Sequence, residues 1–146
     1  MTKLLVDTDP LVAFLNGRDH YHSWTVEQLS DTQPPLLTCE AVLTEAFFLL
    51  RRHRTGTDAL VKLIDQEIVS VAFRLDEEHA RVGNLIRRYS DLPISFADAC
   101  LVRMTEIHSD CQLFTFDGDF QVYRRNGRQV IPIICPPHLS HLKAGK

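Results

Sequence analysis

The chain has 146 residues, of which 45% are hydrophobic and 24% charged, and its formal net charge is -3. This length and composition fit one globular domain over residues 1–146 and exclude an intrinsically disordered chain. The mild negative charge excludes a protein that coats nucleic acid through a general excess of Lys and Arg. Any contact with nucleic acid is therefore expected to be local.

The hydrophobic pattern predicts strands and helices that alternate along the chain. The first strand, Lys3–Val6, ends at Asp7, and Asp9 before Pro10 predicts the N-cap of a first helix. Thr38 is predicted to cap a later helix that carries Glu45. Further strands are predicted at 36–37, 68–73, 112–116 and 129–134, and further helices at 21–29, 57–67, 76–89 and 95–108. Because parallel neighbours need long crossovers, this order predicts an α/β fold with a parallel sheet covered on both faces.

The cysteines and the amino terminus bear on the compartment. Cys39, Cys100, Cys111 and Cys135 show no CxxC spacing and three have apolar surroundings, which predicts reduced core residues. The amino terminus lacks the basic and apolar regions of a signal peptide, and no apolar run approaches membrane-spanning length. We therefore expect a cytoplasmic protein without a membrane segment.

Four acidic residues stand where an unpartnered carboxylate would be costly. Asp7 and Asp117 each follow an apolar strand, and the carboxyl ends of parallel strands share one edge of a sheet. Glu45 and Asp98 lie in almost wholly apolar helical segments, so both are expected to point inward. The two strand-end acids on one edge would repel each other unless a metal ion neutralised them. An oxygen-rich site without His or Cys suits Mg²⁺ or Mn²⁺, and such ions serve hydrolysis at phosphorus.

Each of the four acids also has a purely structural explanation. These are a capping box of Ser95 with Asp98, an ion pair of Glu45 with Arg51 or Arg103, a helix cap at Asp7, and a turn at Asp117 and Gly118. Any one of them is easy to accept. All four together are a less economical explanation than one shared site.

The ordered set of acidic motifs carries a family resemblance. The motifs are Leu-Val-Asp-Thr at 5–8, Leu-Thr-Glu-Ala at 43–46, Phe-Ala-Asp-Ala at 96–99 and Phe-Thr-Phe-Asp-Gly-Asp-Phe at 114–120. In this order the chain resembles PIN-domain proteins, especially VapC-like toxin ribonucleases, over essentially its whole length. The resemblance implies a three-layer α/β/α fold with a central, mainly parallel sheet.

The resemblance also implies a function and a set of site residues. It implies a metal-dependent endoribonuclease whose Mg²⁺ or Mn²⁺ is held by Asp7, Glu45, Asp98 and Asp117. Thr8 or Thr115 would lie near the site through their hydroxyls, and Asp119 would be an accessory ligand. The implied partners are RNA, an antitoxin protein in the toxin members, and a second copy in a homodimer. Position 9 departs from the family, because such toxins usually carry a small or neutral polar residue where this chain has Asp9.

Two other functions remain open from the sequence. Asp7-Thr8-Asp9 after a strand resembles the nucleophile motif of haloacid-dehalogenase-like phosphatases, with Asp7 as nucleophile and Asp9 as acid/base. Such an enzyme also needs a lysine at the site, for which the candidates are Lys3, Lys62, Lys143 and Lys146. The third possibility is a non-catalytic PIN interaction module that keeps its acids.

The basic clusters, the histidines and the single tryptophan have ordinary structural explanations. The basic clusters at 51–54, 87–88 and 124–128 are expected to be solvated helix ends or local nucleic-acid contacts. His20 and His22 are expected to start a surface helix, and Trp24 to serve packing or a dimer contact. His138 and His141 are expected to be tail residues.

Overall fold

A central parallel sheet organises the computed structural model, which describes residues 2–137. Its strands are β1 (Lys3–Val6), β2 (Leu36–Thr38), β3 (Val69–Val71), β4 (Cys111–Phe114) and, numbered in chain order, β7 (Ile133–Ile134). They lie in the order β3-β2-β1-β4-β7, and every neighbouring pair is parallel. The expected mainly parallel sheet is confirmed.

Six helices flank this sheet and complete a three-layer α/β/α fold. They are α1 (Thr8–Leu15), α2 (His22–Ser30), α3 (Glu40–Leu49), α4 (Arg54–Asp65), α5 (Leu75–Arg88) and α6 (Phe96–Ile107). A short 3₁₀ helix, Gly118–Gln121, follows β4, and β5 (Arg124–Arg125) pairs antiparallel with β6 (Gln129–Val130). The predicted alternation of strands and helices is therefore correct, with boundaries that differ by a few residues.

The topology brings the ends of β1 and β4 together at the centre of the sheet. The chain builds outward from β1 to β2 and β3, and then returns to place β4 on the other side of β1. Val6 is in register with Phe114, and the Asp7 N–H donates to the Phe114 carbonyl at 2.9 Å. In open α/β sheets, such a reversal of strand order leaves a crevice at the carboxyl ends of the strands, where ligands bind. Asp7 and Thr115 emerge into this crevice side by side.

The predicted caps of α1 and α3 were wrong. Asp7, and not Asp9, is the N-cap of α1, because its backbone is extended and its Oδ1 accepts the Thr8 N–H at 2.7 Å. Pro10 lies inside the first turn of α1 and does not mark its first residue. A proline is tolerated there because the N–H groups of the whole first turn have no acceptor within the helix. Thr38 ends β2, and its hydroxyl donates to the Val6 carbonyl at 2.8 Å. The N-cap of α3 is therefore the next residue, Cys39.

The strand predicted at 129–134 is two short strands. Residues 129–130 belong to β6 in the hairpin with β5, and residues 133–134 belong to β7 at the sheet edge. Pro132 separates them, because a proline has no N–H to donate to a neighbouring strand. Its carbonyl still accepts the Leu113 N–H at 2.8 Å. The separation lets one segment contribute to two sheets.

The core contains the tryptophan and most of the cysteines, which were predicted to have packing roles. Trp24 lies edge-on to Phe114, with ring centroids 5.7 Å apart, so its packing role is confirmed. The four cysteines are free thiols, of which three are buried and Cys135 is half-buried. His22 is the first residue of α2, and its Nδ1 lies 2.8 Å from the Ala13 carbonyl. Within residues 2–137, no helix is both long and apolar enough to cross a membrane. His138 and His141 lie outside the described residues.

Candidate functional site

Asp7 is fixed at the carboxyl end of β1 by two hydrogen bonds. Its side chain is only 8% exposed. Oδ1 accepts the Thr8 N–H, and Oδ2 accepts the Thr115 hydroxyl at 2.7 Å. Burial raises the pKa of Asp7 to about 6, and the nearby charges of Asp9 and Asp117 also raise it, whereas the two hydrogen bonds lower it. The carboxylate is thus held rigidly in an environment that disfavours its charge.

Thr115 links this carboxylate to the next acids in the chain. Its Oγ1 donates to Asp7 and also accepts the Asp117 N–H at 3.0 Å. Asp117 in turn is the N-cap of the 3₁₀ helix, because its Oδ1 accepts the Asp119 N–H at 2.9 Å. Asp117 therefore has the turn role considered from the sequence. Half-buried, it also contributes charge to the Asp7 environment.

Asp98 reaches the same place from α6. Ser95 caps this helix by accepting the Asp98 N–H at 3.0 Å, as the capping motif predicted. Burial raises the pKa of Asp98 to about 7, and the charges of Asp7, Asp117 and Asp119 raise it as well, whereas the Ser95 hydroxyl lowers it. The capping role is therefore real, but it does not explain why the carboxyl group of Asp98 lies close enough to three other acids for their charges to raise its pKa.

Glu45 was expected to point inward, and that expectation was wrong, because the side chain is exposed. Its neighbours on the outer face of α3 include two exposed apolar residues, Phe48 and Leu49. An apolar sequence context therefore did not mean burial on this helix. Glu45 still belongs to the acidic region, because its charge, after burial, is the largest cause of the raised pKa of Asp9.

The ion-pair explanation for Glu45 is not supported by its two candidate partners. Arg103 pairs instead with Glu78 at 2.7 Å and with Glu106 at 3.1 Å. Arg51 donates to the Phe48 carbonyl at 2.8 Å. Both guanidinium groups are therefore engaged away from Glu45.

Two residues near the acids were underestimated from the sequence. Asp9, predicted mainly as a cap, lies in the first turn of α1, and the residue as a whole is exposed. Partial burial of its carboxyl group and the charges of Glu45 and Asp117 raise its pKa. Tyr123 is buried beside the site, and its pKa is raised by burial and then by Asp98 and the neighbouring acids. The unusual acid at position 9 was a usable signal, whereas nothing in the sequence around Tyr123 indicated its position.

Two of the basic clusters, at 51–54 and 87–88, lie at helix ends, and the cluster at 124–128 lies in the hairpin of β5 and β6. Arg87 and Arg88 form the last turn of α5, where cations complement the helix dipole. Arg124 donates from Nη1 to the carbonyl of Gln121 at 2.8 Å, close to the end of the 3₁₀ helix. Arg51 likewise lies at the end of α3, where it donates to the Phe48 carbonyl. These contacts support a structural role for the basic clusters.

The donor set fits a hard divalent cation that retains several waters. Across residues 2–137, no Lys or Arg forms an ion pair with Asp7, Asp98 or Asp117, and Thr8 Oγ1 is buried without a hydrogen-bond partner. In the same part of the chain, no three His, Cys, Asp or Glu side chains form a ready-made metal cage. Mg²⁺ is usually bound through one or two carboxylates, waters and substrate phosphates, so it does not require such a cage.

Comparison with known proteins agrees with this fold. Among curated proteins no match was found. Among solved structures, the chain is similar to VapC20 of Mycobacterium tuberculosis, which is described as a Sarcin-Ricin loop cleaving toxin. The TM-score is 0.67 and the identity 27%, over 82% of this chain and 94% of that one. The family model described as PIN domain matches residues 4–126. The chain therefore belongs to the PIN-domain family and is similar to its VapC members.

Proposed function

We propose that this protein is a divalent-metal-dependent endoribonuclease that hydrolyses RNA phosphodiester bonds at the cluster of Asp7, Asp98 and Asp117. The observation that carries the proposal is uncompensated negative charge. The three carboxyl groups interact across the carboxyl ends of β1 and β4, and burial with mutual repulsion raises the pKa of Asp7 to about 6 and that of Asp98 to about 7. A bound cation relieves this repulsion, so the site is suited to hold one.

The protein's own residues have distinct parts in this proposal. Asp7, Asp98 and Asp117 hold Mg²⁺ or Mn²⁺, and Thr115 orients Asp7 through its hydroxyl. Glu45 and Asp119 act at the rim, where Glu45 is exposed and Asp119 is half-buried. When bound, such an ion stabilises the charge that develops during in-line displacement at phosphorus. The acids also exclude a substrate phosphate in the absence of the cation, because like charges repel.

The comparisons support RNA as the substrate and suggest the biological setting. VapC20, a toxin described as cleaving the Sarcin-Ricin loop, shares the fold over most of its length. We therefore extend the proposal to a toxin of a toxin–antitoxin pair, inhibited by a cognate antitoxin protein and active as a homodimer. The proposal includes a single catalytic domain over residues 1–146 and a cytoplasmic location.

The phosphatase alternative has little support in the geometry. Both carboxylate oxygens of the proposed nucleophile, Asp7, already accept hydrogen bonds. Lys3 starts β1 at the end of the strand opposite to Asp7, and Lys62 is exposed on α4. Lys143 and Lys146 lie outside the described residues. We therefore do not propose phosphatase activity.

A direct assay tests the nuclease proposal. The purified protein, freed of metal with EDTA, is incubated with a structured RNA hairpin in the presence or absence of Mn²⁺ or Mg²⁺, and separately with an aryl phosphate monoester. We expect RNA cleavage only with metal and no monoester hydrolysis. Asp117→Asn should abolish the cleavage, whereas Asp58→Asn, an exposed position on α4, should not change it. Absence of cleavage by the wild-type protein with metal, or equal cleavage by Asp117→Asn, would reject the proposal.

A further inference from the structure

Two buried cysteines from different elements contact each other in the core. Cys39 directly follows β2 and is the N-cap of α3, whereas Cys100 lies in the first half of α6. Each is only 1% exposed. A hydrogen bond between the two thiols lowers the pKa of Cys39 and is the largest influence on it. Two thiols in contact can be joined by a disulfide when an oxidant reaches them.

The pair lies beside the acidic cluster. β1 and β2 are parallel neighbours, and Asp7 and Cys39 directly follow these strands at the same edge of the sheet. The charge of Asp7 reaches the Cys39 thiol, where it opposes the lowering of the pKa. Cys100 follows Asp98 by two residues on α6. The thiol contact therefore connects the sheet edge that carries Asp7 to the helix that carries Asp98.

A small cavity connects the two thiols with solvent. Its volume is about 100 Å³, and Cys39 and Cys100 line it together with three exposed residues, Glu40, Leu75 and Phe96. A cavity needs about 10–15 Å³ to hold one water. Hydrogen peroxide is little larger than water, so this cavity has room for it. The thiols are thus buried from bulk solvent but within reach of a small oxidant.

The other two cysteines are placed differently. Cys111 begins β4, at the opposite edge of the sheet, where its Sγ lies 3.9 Å from the Thr105 carbonyl and 3.6 Å from Nη1 of Arg125. Cys135 is half-buried and follows β7, which is three strands away from β2 in the sheet. Three strand spacings amount to about 14 Å. The fold therefore places Cys39 next to Cys100 and away from the other thiols.

We propose that Cys39 and Cys100 form a redox modification site, at which hydrogen peroxide converts the two thiols into a reversible disulfide that weakens the metal site. The Cys39 sulfur attacks one peroxide oxygen and the O–O bond breaks, so that a sulfenic acid forms and the released hydroxide leaves with the thiol proton as water. The Cys100 sulfur then attacks the Cys39 sulfur, the S–O bond breaks, and the hydroxyl group leaves with the Cys100 proton as a second water. The thiols lose two electrons and the peroxide gains them. A thiol reductant reverses the reaction.

The disulfide acts on the metal site through α6. A covalent bond holds two sulfurs closer together than a thiol contact does, so α6 must move towards the end of β2, and Asp98 moves with it. Loss of the contacts that orient metal ligands typically costs 10- to 100-fold in affinity, so we expect the oxidised protein to bind Mn²⁺ about 10- to 100-fold more weakly. This effect rests on the proposed function, whereas formation of the disulfide does not.

Peptide mass spectrometry tests the disulfide. The fully reduced protein is treated with hydrogen peroxide, denatured in N-ethylmaleimide to block the remaining thiols, and digested without reductant. We expect two peptides joined through Cys39 and Cys100, which dithiothreitol separates. Cys135→Ser is the matched control and should keep this product, whereas Cys100→Ser should lose it. Absence of the product in the wild-type protein, or a disulfide through Cys111 or Cys135 in its place, would overturn the inference.

Titration calorimetry with Mn²⁺ tests the effect on the metal site. The wild-type protein is measured reduced, oxidised, and reduced again after oxidation, with peroxide and reductant removed before each titration. We expect weaker binding in the oxidised sample alone and no effect of peroxide on Cys100→Ser. Equal affinity of the reduced and oxidised wild-type protein would overturn the inference even if the disulfide forms. If the reduced protein does not bind Mn²⁺, the proposed function is rejected instead, and mass spectrometry still decides whether the disulfide exists.

Discussion

The hydroxyl of Thr115 donates a hydrogen bond of 2.7 Å to Asp7 Oδ2 across the neighbouring strands β1 and β4. The Thr115 Oγ1 also accepts the backbone N–H of Asp117 at 3.0 Å. One buried side chain therefore connects the acid that ends the first strand to the acid that follows the fourth. Because Asp7 is buried, this contact keeps a costly carboxylate partly satisfied.

Thr115→Val should weaken both the fold and the metal site. Valine has nearly the same shape but no hydroxyl, so Asp7 Oδ2 loses the buried donor whose hydrogen bond it accepts. We expect a loss of about 1–3 kcal/mol in the free energy of unfolding, measured by urea titration in EDTA. Thr115→Ser keeps the hydroxyl and should retain most of the stability and Mn²⁺ affinity. Identical stability of the valine variant and the wild type would show that the hydrogen bond contributes nothing.

The stability of the metal-free protein should fall as the pH rises from about 4 to about 7. The pKa values of Asp7 and Asp98 are raised in the folded protein to about 6 and about 7, from the ordinary value of 3.8. Between those limits the folded state binds more protons than the unfolded state, so the free energy of unfolding decreases with pH. Urea unfolding in EDTA at pH 5 and pH 7.5 measures the effect. Saturating Mg²⁺ should reduce the difference, because a bound cation favours the charged carboxylates.

Asp98→Asn provides the control for this pH dependence. The carboxyl group of Asp98 is neutral at low pH and is repelled by its neighbours when it is charged at high pH. Its removal should therefore raise the melting temperature of the metal-free protein at pH 7.5. It should also reduce the dependence of the free energy of unfolding on pH. Asp58→Asn, on the exposed part of α4, should change neither. If the Asp98 variant keeps the full wild-type slope between pH 5 and pH 7.5, Asp98 is not the source of the effect.

The strand-end acids were predictable because strand polarity alone determines where they emerge. Asp7 and Asp117 each follow an apolar segment, and parallel neighbours necessarily present such residues at one edge. The hydrogen bonds of Thr115 with Asp7 and with the Asp117 N–H were not predictable, because they depend on the register of Val6 with Phe114. The family resemblance indicated only that a threonine hydroxyl lies near the site.

The orientation of Glu45 could not be obtained from local sequence. Three apolar neighbours suggested burial, but α3 exposes Phe48 and Leu49 on the same outer face. The start of α1 was misplaced for a similar reason, because both Asp7 and Asp9 can act as caps and only the extended backbone at Asp7 decides between them. These features depend on packing and backbone conformation, which residue types near one position do not determine.

Glu45→Gln should weaken Mn²⁺ binding less than Asp98→Asn does. Glu45 is exposed, so solvent screens its charge, whereas Asp98 is half-buried among Asp7 and Asp117. Titration calorimetry of both variants under the same conditions measures the order of the two effects. Unchanged Mn²⁺ affinity in the Glu45 variant would show that Glu45 does not act on the metal site from the rim.

Asp9→Asn distinguishes a contribution to the charge of the site from a part in the reaction itself. Asp7, and not Asp9, caps α1, so this substitution removes no helix cap. It removes a carboxyl group whose pKa is raised by burial and by the charges of Glu45 and Asp117. We therefore expect a slightly more stable metal-free protein that cleaves RNA at saturating Mn²⁺ and needs at most a few-fold more Mn²⁺ to reach half of its maximal rate.

The comparison for Asp9→Asn is Asp117→Asn, measured with the same RNA at saturating Mn²⁺. Asparagine caps a helix about as well as aspartate, so the contact from Asp117 to the Asp119 N–H should persist and the fold with it. Cleavage should nevertheless fall close to background, because a proposed ligand has lost its charge. A general acid/base residue usually contributes about 10²- to 10⁴-fold to the rate. If Asp9→Asn lost as much activity as Asp117→Asn, by a factor of that size, Asp9 would belong among the reacting groups. The proposed cluster of three acids would then have to be revised to include Asp9.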